Sequence, residues 1–217
     1  RGAKLTQMVA ISYHTLSAYG FHAVEMVQCL AERRAGGETG VRQVRCISGD
    51  AVWKAVADGT IDESLLQAAV VPLKRSLVKR SKKSLRELAK NPTAMIIDYR
   101  DGFRASILTL NGAASEWSVA WHEAGDIKAT MFWTQEARPF MHFTYLVKGA
   151  ERMFHTGQPT WPAERTLYTS AILDAALISL KQDGAPVPTP YLALPYQSGW
   201  TWQQPPPPPP GRPIPGQ

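Results

Sequence analysis

The run Gly20-Phe21-His22-Ala23-Val24-Glu25-Met26-Val27-Gln28-Cys29-Leu30 places an imidazole and a carboxylate three residues apart in an apolar helical segment. A histidine is half-protonated near neutral pH and can take or give a proton at a substrate hydroxyl. Glu25, one helical turn on, shares its face and can hydrogen-bond the ring. Tyr13, His14 and Tyr19 stand just upstream and could line the same cleft. The expected site is therefore His22 as the catalytic acid or base, with Tyr13, His14, Tyr19 and Glu25 as substrate-binding residues. The competing reading makes His22 an ordinary polar residue at a helix start, Glu25 a solvent-facing one and the 13–19 stretch a mobile loop.

Other chemistries find little footing. Cys29 and Cys46 make no disulfide framework and read as buried free thiols of a reducing compartment. No Cys-x-x-Cys or His-x-x-x-His spacing suggests a metal site. His122 alternates with tryptophans on a strand, and His142 and His155 share a helix without ligand spacing. Asp98 and Asp101 flank Arg100 at a turn and read as a salt-bridged turn rather than a carboxylate pair. No Gly-x-Ser-x-Gly elbow occurs. A dinucleotide unit needs a strand, a Gly-x-Gly-x-x-Gly turn and a helix. Gly36-Gly37-Glu38-Thr39-Gly40 has another spacing and follows a helix, so it reads as a helix-ending loop. No cofactor is expected to bind this chain alone.

The elements that position these residues follow from periodicity. A strand is predicted at 5–11, a helix at 20–34, a strand at 41–48, and helices at 50–57 and 61–70. Leu73, Leu77, Leu85 and Leu88 recur through a stretch, Lys74 to Lys90, that holds eight Lys or Arg and one acid. That pattern predicts an amphipathic basic helix. From Ala94 the texture becomes alternating, with turn signals at Asp101-Gly102 and Asn111-Gly112. Four strands, 94–99, 103–110, 117–122 and 127–133, predict an antiparallel meander. Two helices follow, 140–155 and one from Pro162 to about Lys181, then a possible edge strand at Leu192-Ala193-Leu194. The fold class is α+β, an open antiparallel sheet with helices packed on one face. Residues 1–198 form the domain, and 199–217, with six consecutive prolines at 205–210, form a disordered polyproline II tail.

These residues resemble the C-terminal domain of the glucose–fructose oxidoreductase/inositol dehydrogenase/MocA family. Its members carry an Asp-x-x-x-His stretch leading into an apolar helix. Gly20, His22 and Glu25 match that style, while Ala18 stands where the aspartate would be. Phe154, Gly157-Gln158-Pro159 and the long helix from Glu164 resemble the family's end. The resemblance implies the substrate-binding and oligomerisation domain of an NAD(P)-dependent sugar or polyol oxidoreductase. The nucleotide-binding domain would precede Arg1, and the chain would be inactive alone. The family's Glu-Lys-Pro lysine has no counterpart, since Lys90-Asn91-Pro92 lies after His22. A non-catalytic binding or assembly module is the alternative, using the aromatic sheet face and the basic helix.

Composition sets outer bounds. The chain has 217 residues, 44% of them hydrophobic, and a net charge of +6 that is concentrated in the Lys74–Lys90 stretch. That stretch has no interleaved aromatics, so nucleic acid is not an expected partner. No apolar run approaches the length of a membrane span. A cytoplasmic location and a carbohydrate-like substrate are expected. The outer sheet face, with Phe132, Leu108, Leu110 and His122, is expected to be buried in a homo-oligomer.

Overall fold

The computed structural model describes residues 1–134 and 140–199. The proline run lies outside the described residues. The fold is α+β, with seven strands in one open sheet: β1 (Leu5–Ser12), β2 (Val41–Ser48), β3 (Thr93–Tyr99), β4 (Arg104–Thr109), β5 (Ser118–Glu123), β6 (Asp126–Met131) and β7 (Val187–Pro188). The described helices are α1 (Leu16–Ala31), α2 (Asp50–Ala57), α3 (Glu63–Val70), α4 (Leu85–Leu88), α5 (Met141–Thr156) and α6 (Ala163–Lys181).

The strand order is β6-β5-β1-β4-β3-β2-β7. Two predicted hairpins form, β3–β4 and β5–β6. Asp101-Gly102 turns the first, with Gly102 at φ +88°, and Ala124-Gly125 turns the second with both residues at positive φ, as tight hairpins prefer. They do not continue into a meander. β1 inserts between them, parallel to β4 and antiparallel to β5. The sheet is thus antiparallel apart from one parallel pair.

Helices cover both sheet faces rather than one. On one face Met8, Ala10, Val44, Met95, Ile107 and Val119 pack with Val24 and Val27 of α1 and Ile172 and Ala176 of α6. On the other, Val9, Ile11, Ile96 and Leu108 pack with Val52 of α2, Leu65 and Leu66 of α3, and Leu85 and Leu88 of α4. The strands alternate apolar residues to both sides because both sides are interior. Leu108 and Leu110, assigned from sequence to an oligomer contact, are fully buried beneath this chain's own helices.

The basic stretch is not a long helix. It contains a single helical turn at 77–79 and the four-residue α4. The buried Glu116 carboxylate accepts the backbone N–H groups of Lys74, Arg75 and Ser76, at 3.1, 2.8 and 2.8 Å, and the Ser76 hydroxyl at 2.8 Å. That carboxylate pins the 74–76 backbone to the segment just before β5. Ser84 and Glu87 close a capping box on α4. The edge strand falls at Val187–Pro188, beside Gln43 and Val44, while Leu192 ends a helical turn at 190–192 and the expected strand at 192–194 does not form.

α5 and α6 match the predicted helices within a residue or two, and Gly157 at φ +64° ends α5 in the left-handed conformation. Five large exposed apolar side chains lie on α5: Phe143, Leu146, Val147, Met153 and Phe154. Among the described residues, no helix is long and apolar enough to cross a membrane.

Candidate active site

The cleft is built on α1. Thr15 caps that helix, its hydroxyl accepting the Ala18 N–H at 3.3 Å. The helix therefore begins four residues earlier than predicted, and His22 sits on its side in the second turn rather than at its mouth. Gly20, which looked like a boundary, lies inside the helix against α6; a Cβ there would stand 2.6 Å from a Leu173 methyl.

His22, Glu25, Met26 and Cys29 share one face of α1 and line a cleft of about 610 Å³. Tyr19, Trp117, Phe132, Phe140 and Phe143 supply aromatic walls, with Thr134, His142 and Arg165 completing it. His22 is exposed, edge-on to Tyr19 at 5.9 Å between ring centres. Tyr13 stands behind this wall, 5.5 Å from the Tyr19 ring and 5.0 Å from the Trp117 ring, and borders a smaller adjoining hollow. His14 stacks on Tyr19 at 4.7 Å but does not line the cleft.

The 13–15 segment is held firmly. His14 has φ +71°, and Asn111 clamps its backbone from both sides. The Asn111 side-chain oxygen accepts the His14 N–H at 2.6 Å and its amide donates to the His14 carbonyl at 3.0 Å. Of the five predicted residues, the structure gathers Tyr19, His22 and Glu25 in the cleft, leaves Tyr13 behind the wall and turns His14 away.

Glu25 is engaged by Arg165 of α6 at 2.8 Å. The same guanidinium lies 3.2 Å from Glu32, whose side chain is almost wholly buried. Burial raises the Glu25 pKa above its usual value, with Arg165 pulling the other way. The Cys29 thiol donates to the Met26 carbonyl at 3.0 Å, and burial pushes its pKa up to about 11. It is a neutral lining group at physiological pH rather than a nucleophile. The cleft thus offers aromatic surface, one exposed imidazole on α1, and a cation already shared between two carboxylates.

Arg165 was missed from sequence, though a signal was present. A cation in the first turn of a helix opposes the helix dipole, so it needs another reason to be there. Trp117 was read only as a strand residue. Behind the cleft, the loop read as a helix stop hides a further polar cluster. Glu38 is fully buried and accepts from Gln28 at 2.5 Å and from the Gly40 N–H at 2.9 Å. Tyr196 donates to Glu32 at 2.8 Å, tying the 196–198 segment to the end of α1.

The β1–α1 connection does not have the form of a dinucleotide-binding turn. β1 passes into α1 through Tyr13-His14-Thr15, without a glycine turn, and Thr15 itself fills the helix N-terminus where a pyrophosphate would sit.

No family model matches the sequence, and no curated protein matches it. Among solved structures the fold is similar to that of two proteins solved with a bound nicotinamide dinucleotide. One is GenD2 from gentamicin A biosynthesis in complex with NAD, at TM-score 0.52 and 11% identity, covering 86% of this chain and 55% of that one. Another is scyllo-inositol dehydrogenase from Lactobacillus casei with bound NAD(H) and scyllo-inositol, at TM-score 0.50 and 9% identity, covering 85% and 56%. The chain spans about half the length of these proteins, and at such identity the likeness is one of fold.

Proposed function

We propose that this chain is the substrate-binding part of an NAD(P)-dependent sugar or polyol dehydrogenase of the glucose–fructose oxidoreductase/inositol dehydrogenase/MocA type. The observation that carries this reading is the cleft, where His22 faces a cavity walled by Tyr19, Trp117 and Phe132 on a fold similar to such dehydrogenases. Aromatic walls with a few placed polar groups suit a ring with one apolar face and hydroxyls at its rim. Arg165 is committed to Glu25 and Glu32, so an uncharged substrate fits better than a phosphorylated one.

In this reading His22 takes the proton from the hydroxyl being oxidised and returns it in the reverse direction. Tyr19 holds one edge of the imidazole, and Glu25 stays with Arg165 and shapes the wall beside it. The dinucleotide would be held by a separate unit, and no step is assigned to it.

Binding without catalysis is the second reading. It is favoured by the His22 ring, which makes ring contacts to Tyr19 and Phe21 but no hydrogen bond among the described residues. A titration of the chain with cyclic polyols and sugars, followed by the NMR shifts of the His22 ring, tests the assignment. Saturable shifts that vanish in Trp117→Ala support it, and an unmoved His22 signal across the panel rejects it. NAD(H) added to the chain alone is expected to give no saturable quenching of tryptophan fluorescence at micromolar concentration.

A further inference from the structure

A polar row crosses the sheet at the end away from the aromatic wall. Strand register places Gln7 of β1 beside Arg104 of β4, Arg104 beside Asp98 of β3, and Asp98 beside Gln43 of β2. His122 closes the row from β5. Gln7, Arg104, Asp98 and His122, with Arg42, border a cavity of about 440 Å³, which shares no lining residue with the cleft on α1.

The centre of this row is built rather than merely solvated. Asp98 is only 7% exposed. One of its oxygens accepts the Arg104 Nε–H at 2.7 Å, and the other accepts Gln43 at 2.7 Å and Arg42 at 3.4 Å. Both carboxylate oxygens are therefore occupied, and they fix two guanidinium groups side by side. Arg104 is two-thirds buried yet spends only its Nε on the protein. Its two terminal nitrogens carry no hydrogen bond among the described residues, and neither does the Gln7 amide. The other acid nearby, Asp62, is taken up by His122 at 2.9 Å and by Ser64 and the Leu65 N–H. Two guanidiniums held by one saturated carboxylate thus border an open cavity.

We propose that this row binds an oxyanion, the phosphate or carboxylate group of a small molecule. Arg104 takes two of its oxygens with its free fork, and Arg42 and Gln7 close on it from either side. A planar fork already held in place loses little freedom on binding, and paired charge-assisted hydrogen bonds suit such a group. The site lies at the opposite end of the strands from His22, so it is separate from the proposed substrate cleft and does not depend on that reading.

The test titrates inorganic phosphate and, separately, succinate into the protein at constant ionic strength, with NMR of the arginine side chains as readout. The expected result is a saturable shift of Arg104 with a millimolar dissociation constant for at least one of the two anions. Arg104→Gln should weaken it by roughly tenfold or more. His22→Ala should leave it unchanged. Should Arg104→Gln fail to fold, Arg42→Gln alters an exposed side chain and is expected to weaken binding by about threefold or more. The preferred anion names the ligand's group. No saturation by either anion up to about 20 mM, or saturation unaltered in a folded arginine variant, overturns the proposal.

Discussion

The guanidinium of Arg165 reaches the Glu25 carboxylate at 2.8 Å and so joins α6 to the cleft face of α1. Because it also neutralises the buried Glu32, the contact is structural as well as local. Arg165→Leu should cost about 1–3 kcal/mol, since it takes a charged partner from a buried carboxylate that keeps Arg33 and the Tyr196 and Ser198 hydroxyls. Thermal or denaturant unfolding reads this directly. A variant as stable as the parent would show that the remaining partners of Glu32 suffice.

His22 separates the two functional readings. On the proposed catalytic reading, His22→Asn in the full-length protein should lower turnover by about two orders of magnitude while leaving the melting temperature nearly unchanged, because the ring is exposed. Unchanged turnover with a lowered melting temperature would make it a structural side chain.

Cys29 borders the cleft but should be slow to react. With its pKa near 11, only a small fraction is thiolate at pH 7.5. Iodoacetamide should modify the folded protein slowly at that pH and much faster as the pH approaches 11, with mass spectrometry locating the adduct. Complete labelling of Cys29 within minutes at pH 7.5 would contradict the burial described for it.

Leu108→Lys distinguishes a core position from an interface. Leu108 is wholly buried under the chain's own helices, so a lysine there should cost more than about 3 kcal/mol and unfold much of the protein. Sedimentation of a folded, monomeric variant derived from an oligomeric parent would restore the interface reading.

Glu116 ties stability to pH. Burial alone would raise its carboxyl, but the Ser76 hydroxyl and the amides of 74–76 outweigh that and hold it below its usual value. A carboxyl lowered in the folded state stabilises it above the ordinary carboxylate pKa and loses that contribution as pH falls through the lower folded value. The stability difference between the parent and Glu116→Gln should therefore be largest at neutral pH and shrink as the solution is acidified. A difference constant from pH 7 to pH 3 would argue against this account.

Local signals carried much of the fold and stopped where distant residues decide. The alternation at 94–133 and the Asp101-Gly102 turn specify strands and a hairpin, because side-chain period and turn geometry are local, while Asn111-Gly112 turns the chain without pairing β4 to β5. Nothing local says that β1 separates the two hairpins. The leucines of 73–88 have helical spacing, yet Glu116, some forty positions away, pins the 74–76 backbone to a distant part of the fold. Thr15 is an ordinary cap signal, obscured by Gly20, whose missing side chain answers to Leu173 on another helix. The cleft was legible through His22, Glu25 and Tyr19 because they share one helix. Arg165 and Trp117 arrive from elements more than ninety positions away.

The place of β1 also sets an order of assembly. Each hairpin can close from neighbouring residues, but the two halves of the sheet meet only when β1 enters between them. Its partners β4 and β5 begin about a hundred residues further along, so the ring closure that completes the sheet comes late and slowly. During synthesis the apolar segment Met8–Ile11 must wait, unpaired, until both hairpins have emerged. It is then the stretch most open to capture by a chaperone or by another unfinished chain.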